Sequence, residues 1–154
     1  MIERERIELL NEAYAWCIDD GELEGWPRFF TDPCLYRILP RENLEEGLPG
    51  CLVYFDSQAM LRDRVLCIRE VNIYAPHAVR HLLGRPAVRA RPEGGVTVRT
   101  NFMVAHTDHE GHSAMFAVGE YRDIVVEDSG ELKFRERTVI LDTFTVPSHL
   151  AEPL

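Results

Sequence analysis

The sequence predicts an α+β fold, a single domain in which a curved sheet wraps around N-terminal helices. Three observations predict it. Apolar residues recur at helical spacing in the first half, four β-rich alternating runs fill the second half, and glycine-containing turns separate those runs where βαβ units would need helices. The 154 residues, 45% apolar and 28% charged, suit one globular domain spanning 1–154.

The first element is a helix over residues 2–18. Ile7, Leu10, Tyr14, Cys17 and Ile18 follow one another at steps of three and four, leaving Glu3, Arg6 and Glu12 on the wet face. Asp19-Asp20-Gly21 stops it. A short second helix over 23–30 carries Leu23, Trp26, Phe29 and Phe30 toward a core, with Pro27 in its first turn, where a missing N–H is tolerated. Thr31-Asp32-Pro33 reads as a turn, 34–39 as a strand, and 40–50 as an exposed excursion of the kind that carries binding function. After a short strand at 52–55, Asp56 or Ser57 caps a helix to about residue 70, with Met60, Leu61, Val65 and Ile68 inward. Runs 78–91, 96–107, 113–126 and 132–146 then read as four long strands of an antiparallel meander, with turns at 92–95, 108–111 and 127–130.

The formal net charge of −9 argues against nucleic acid, whose binding relies on Lys and Arg neutralising phosphates. No stretch of 18 apolar residues exists and the N-terminus lacks an apolar h-region, so the expectation is a cytoplasmic protein without membrane contact. Cys17, Cys34, Cys51 and Cys67 form no C-x-x-C pair and are expected to be free thiols, mostly buried.

Few residues carry a pattern that points to chemistry. His106, His109 and His112 crowd a hairpin turn, where strand alternation separates them and argues against a metal. His77 and His81 stand four apart, but Pro76 precedes them and no Glu follows His77 as a zincin helix requires. No cysteine begins a C-x-H element, so a Rieske cluster has no ligands here. Asp32, Asp56, Glu70, Glu120 and Asp142 lie beside apolar segments, with Arg64, Arg122 and Arg137 as available ion-pair partners and Asp56 as a cap. The aromatic set Trp16, Trp26, Phe29, Phe30, Tyr36, Phe102, Phe116 and Phe134 reads as core. His81, paired with Asp32 or with Tyr36 or Glu70 nearby, is the best acid–base candidate if the chain is a stand-alone isomerase or dehydratase with an apolar pocket.

Three segments resemble the β subunits of bacterial aromatic-ring-hydroxylating dioxygenases. Trp26-Pro27-Arg28-Phe29-Phe30-Thr31-Asp32 with Tyr36 is similar to that family's W-x-x-L/F-F-T-D-D…Y passage. Asp56, Leu61, Arg64, Val65 and Ile68 follow its D-x-x-x-x-L-x-x-R-V-x-x-[IL] spacing, with Arg80-His81 beyond. Gly119-Glu120-Tyr121-Arg122-Asp123, then Gly130 and Leu132, then Arg137-Thr138-Val139-Ile140-Leu141-Asp142, look like its closing hairpin. The context Arg69-Glu70-Val71-Asn72-Ile73-Tyr74 looks closest to terephthalate dioxygenase small subunits.

The resemblance implies a cystatin-like, NTF2-like (SnoaL-like) cone, a curved mixed-to-antiparallel sheet around the N-terminal helices, with no catalytic, cofactor or metal residues of its own. It also implies an α3β3 terminal oxygenase whose α subunit holds a Rieske [2Fe-2S] cluster and a mononuclear non-haem iron, with other β subunits as neighbours and a reductase bringing electrons from NAD(P)H. Leu83-Gly84-Arg85-Pro86 and a tail ending at Pro153-Leu154 depart from the family pattern.

Overall fold

The computed structural model describes residues 1–71, 76–143 and 152–154. Helix α1 (Arg4–Asp19) leads into a 3₁₀ segment (Leu23–Phe29), strand β1 (Phe30–Pro40), a short helix α2 (Arg41–Glu45) and strand β2 (Val53–Phe55). Helix α3 (Gln58–Leu66) loosens into a π-type turn (Cys67–Val71), and β3 (His77–Leu83), β4 (Ala87–Ala90), β5 (Val96–Asp108), β6 (Ser113–Asp128) and β7 (Glu131–Leu141) follow. The sheet runs β2-β1-β7-β6-β5-β3, with β4 also on β5, and stays open. This is the expected cone, with α1 and the 3₁₀ segment against one face.

Several expectations need correction. Residues 31–33 are not a turn: β1 begins at Phe30, and the cis Asp32–Pro33 bond lies within a register shift between Phe30 and Leu35. The four later runs pair antiparallel as expected, β3 and β4 with β5, β5 with β6 and β6 with β7, while β1 joins β7 in parallel and makes the sheet mixed. Residues 78–91 form two strands: the Gly84 amide donates to the Asn101 carbonyl and the chain breaks through Arg85-Pro86 before β4 resumes on β5. The 40–50 excursion contains α2, and the third helix leaves α geometry after Leu66. Ser57, not Asp56, is the N-cap, its Oγ accepting from the Met60 amide. Residues 72–74 of the family-like passage and 144–146 of the last predicted strand lie outside the described residues.

The core follows from alternation. On β5, Val96, Val98, Phe102 and Val104 point inward, while Thr97, Arg99, Asn101 and Met103 face out. On α1, the buried stripe is Ile7, Asn11, Tyr14, Ala15 and Ile18, and Leu10 and Cys17 fall at its margin. Trp26, Phe30, Tyr36, Phe102, Tyr121 and Phe134 fill the space between helix and sheet, mostly edge to face, with Phe102 stacked on Tyr121 at 4.4 Å. Trp16 is not core; it is more than half exposed. Phe29 and Phe116 only flank the core. All four cysteines are free, but only Cys34 is buried, and that burial pushes its thiol up to about 11.

The tail closes the aromatic core. Tyr14 and Tyr36 donate their hydroxyls to the Leu154 carbonyl at 2.7 and 3.1 Å, the Leu154 amide returns a bond to Tyr36 at 3.0 Å, and Trp26 Nε1 donates to the Tyr14 oxygen. Tyr36→Phe removes the acceptor for a buried N–H, so a loss of about 1–3 kcal/mol is expected, against a much smaller loss for Tyr54→Phe on exposed β2. Urea denaturation of both variants checks this, and equal midpoints would contradict it.

Candidate functional site

His81 stands on β3 facing the C-terminal end of α1. Its amide donates to Asp19 Oδ2 at 2.9 Å and its Nδ1 lies 2.6 Å from Asp19 Oδ1, with both side chains nearly sealed from solvent. Its Nε2 is buried and has no hydrogen-bond partner among the described residues. The carboxylate facing His81 is therefore Asp19. Asp32, the partner expected from the sequence, accepts from the Gln58 amide at 3.4 Å at the start of α3. None of five surface grooves lined by described residues includes His81 or Asp32.

The other histidines are placed apart from this pair. His77 Nε2 meets Glu152 Oε1 at 2.5 Å and its ring stacks on His106, which stacks in turn on Phe116. His109 and His112 are exposed at the β5–β6 turn, where Asp108 Oδ1 accepts from the Glu110 and His112 amides. Among the described residues, no three His, Cys, Asp or Glu side chains gather as a metal ion requires.

At the centre of the cone lies a charge that sequence reading missed as a unit. Arg137 donates from Nε and Nη2 to the two oxygens of Asp123 at 3.0 and 2.8 Å, and from Nη2 to Asn11 Oδ1 at 2.7 Å. Its guanidinium lies 3.8–4.3 Å from the ring centres of Phe134, Tyr121 and Tyr14. Asn11 passes the link to Thr100 on β5. Burial pushes the Asp123 carboxyl up, and Arg137 pulls against it. The arrangement ties α1, β6, β7 and β5 together, with three aromatic rings packed against the cation.

The opposite, outer face of the sheet carries the exposed chemistry. Glu120, 3% exposed at its side chain, accepts from Arg41, Arg99 and Arg122 at 2.8–3.2 Å, and Arg41 also holds Asp142. Of the sequence's expected pairs, Glu120 with Arg122 is present, while Arg137 belongs to Asp123 and Asp142 to Arg41. Burial opposes ionisation of Glu120, but its bonds from Arg122, Arg41 and Arg99 outweigh it and hold the carboxyl at about 2. A folded-state value below the ordinary 4.5 means stability present above about pH 4.5 and lost as pH falls through about 2. The melting temperature of the wild type is thus expected to fall more steeply across that window than that of Glu120→Gln; parallel curves would contradict the assignment.

Further along the same face, Leu82, Met103 and Met115 are 56, 37 and 60% exposed. Leu82 lies opposite Met103 across β3–β5, Met103 opposite Val118, and Met115 opposite Ala105 across β5–β6. An uncovered apolar strip across three strands is the kind of surface that marks an interaction site. Leu48, Leu52 and Tyr54 are likewise exposed on and after the excursion.

A family model described as ring hydroxylating beta subunit matches residues 12–148. The chain is 39% identical over 154 residues to the terminal oxygenase component subunit β1 of terephthalate 1,2-dioxygenase from Comamonas sp, covering 100% of both. It is 38% identical to the small subunit of anthranilate 1,2-dioxygenase from Burkholderia cepacia, covering 96% of this chain and 92% of that one. A solved chain named as an aromatic-ring-hydroxylating dioxygenase β subunit from Novosphingobium aromaticivorans superposes with a TM-score of 0.90 at 36% identity, covering 98% and 96%.

Proposed function

Since the chain belongs to the ring-hydroxylating β-subunit family, we propose that it is the assembly subunit of a terminal oxygenase acting on terephthalate or a related aromatic carboxylate. In this reading the chemistry resides in a partner α subunit carrying a Rieske [2Fe-2S] cluster and a mononuclear iron. The two assemble as α3β3 in the cytoplasm, and a reductase supplies electrons from NAD(P)H.

The observation that carries the reading is the division of the molecule into a filled interior and an uncovered outer face. Aromatic rings and the Arg137 ion pair occupy the cone, while Leu82, Met103 and Met115 stand in water on adjacent strands. Burying such a strip against a partner returns roughly 25 cal/mol per Å² of apolar surface, and an obligate interface of this class covers well over about 1,000 Å². Expressing the chain alone and with an iron-bearing α subunit tests it. The two are expected to elute as one species, with hydroxylation only from that species; a stable β chain that never co-elutes with α would overturn the reading.

A second reading is favoured by one specific observation, the His81–Asp19 pair with its unpartnered Nε2. An imidazole oriented by a carboxylate has the form of a general base, as a stand-alone isomerase or dehydratase would need. Proton exchange catalysed by the isolated chain on a ketone or enol substrate, lost in His81→Gln with the fold intact, would support it; no exchange above buffer would end it.

A further inference from the structure

We propose that the arginine-lined groove on the outer face of the sheet seats a carboxylate-rich segment of the iron-bearing α subunit. The proposal rests on the assembly reading above and names the chemistry of one part of that interface. The groove has a volume of about 510 Å³ and is lined by Arg37, Arg89, Arg99 and Arg122, with Thr97 and Thr138 between them.

Strand register explains how four cations reach one face. Arg37 lies opposite Thr138 across β1–β7, Thr138 opposite Arg122 across β6–β7, and Arg122 opposite Arg99 across β5–β6. Arg89 reaches the same face from β4, opposite Thr97. Like charges directly across a ladder repel, and Glu120, bonded to both, offsets the Arg99–Arg122 pair.

The distribution of hydrogen bonds leaves capacity for an anion. Arg99 and Arg122 each turn Nε and Nη2 toward Glu120, which leaves Nη1 of both without a described protein bond. Arg37 uses Nε on Thr138 Oγ1, and the Arg89 guanidinium has no ion pair among the described residues. Against these stand Glu120 and Glu136, since the Asp123 carboxylate is turned inward to Arg137. A cationic patch is thus maintained on a chain whose net charge is −9.

An anionic occupant follows from that charge, and the chain's overall negative potential disfavours a nucleic acid. Arginine binds carboxylate through two parallel N–H bonds and is enriched at protein interfaces. The Leu82, Met103 and Met115 strip continues along the same sheet face, so a polar seat and an apolar contact lie side by side as one docking surface. The occupant is therefore a protein segment bearing Asp or Glu, belonging to the partner that covers that strip.

The test measures affinity between this chain and its α subunit for wild type, Arg37→Glu/Arg89→Glu, and Arg62→Glu on exposed α3, at low and high salt. Thermal melts of the free chains verify folding. The double reversal is expected to weaken binding by about tenfold or more per arginine, equivalent to about 1.4 kcal/mol each, and to flatten the salt dependence, while Arg62→Glu binds as wild type. Wild-type affinity and salt dependence in a folded double variant would overturn the groove assignment and leave the assembly reading standing. Equal weakening by Arg62→Glu would also overturn it, as would loss of β–β self-association with α binding unchanged, which would make the occupant a second copy of this chain. Failure of the wild type to bind α at all would remove the assembly reading and this proposal together.

Discussion

Replacing Arg137 by Met is expected to destabilise the free chain by about 3–5 kcal/mol, because it leaves the Asp123 carboxylate buried with no cation. Domains of this size are stable by only about 5–15 kcal/mol, so the urea midpoint should fall by a large fraction. Three aromatic contacts to the guanidinium and one bond to Asn11 disappear with it. The double variant Arg137→Met/Asp123→Leu removes both charges and should be the more stable of the two variants, since an apolar pair of similar volume often equals a buried ion pair. A single variant within about 1 kcal/mol of wild type, or a double variant worse than the single, would contradict this account of the core.

Gly119→Ala is expected to cost about 3 kcal/mol or more, at the upper end for overpacking. A Cβ built there would lie 1.9 Å from the Ile140 carbonyl oxygen and 2.9 Å from its carbon. Those are backbone atoms of β7, held on one side by β6 and on the other by β1, so no flexible side chain can yield. The β6–β7 ladder has to separate locally. Gly84→Ala, whose added carbon would meet Asn101 atoms at 3.4–3.8 Å, is the matched control and should cost less than about 1 kcal/mol. Amide exchange along β7 distinguishes the outcomes: faster exchange near Ile140 in Gly119→Ala, unchanged exchange in the control.

Much of the fold was legible because alternation on β5 and β6 and the helical stripe of α1 are local patterns. The parallel pairing of β1 with β7 was not, since it joins segments about a hundred residues apart and no short motif specifies it. The turn expected at Thr31-Asp32-Pro33 reflects the same limit: the residues carry turn chemistry, but β7 is available as a partner and the irregularity is absorbed as a register shift.

The Asp123–Arg137 pair shows how one residue decides a core. Counting outward from the turn, Asp128 faces Glu131 and Val125 faces Phe134, a register that would set Asp123 against Glu136. A bulge between Ile124 and Val125 advances β7 by one residue, so Asp123 meets Arg137 and Ile124 meets Glu136. Without that bulge the count gives like charges, and the pair stays hidden. His81 was singled out from the sequence, but its partner Asp19 was not, because their approach depends on how the end of α1 docks on β3. The family-like segments carried information that the spacing alone did not: they pointed to an interface-forming subunit where a search for ligand motifs found no chemistry.

On the proposed function, this chain contributes shape and interface to an oxygenase, with bond-making left to α. The most direct test is turnover per assembled α subunit in complexes built with wild-type β, His81→Gln β and Asp19→Asn β, each normalised to the amount of complex formed. The account predicts the same rate per complex for all three. A complex that assembles fully with either variant yet loses turnover would place chemistry in this chain and contradict it.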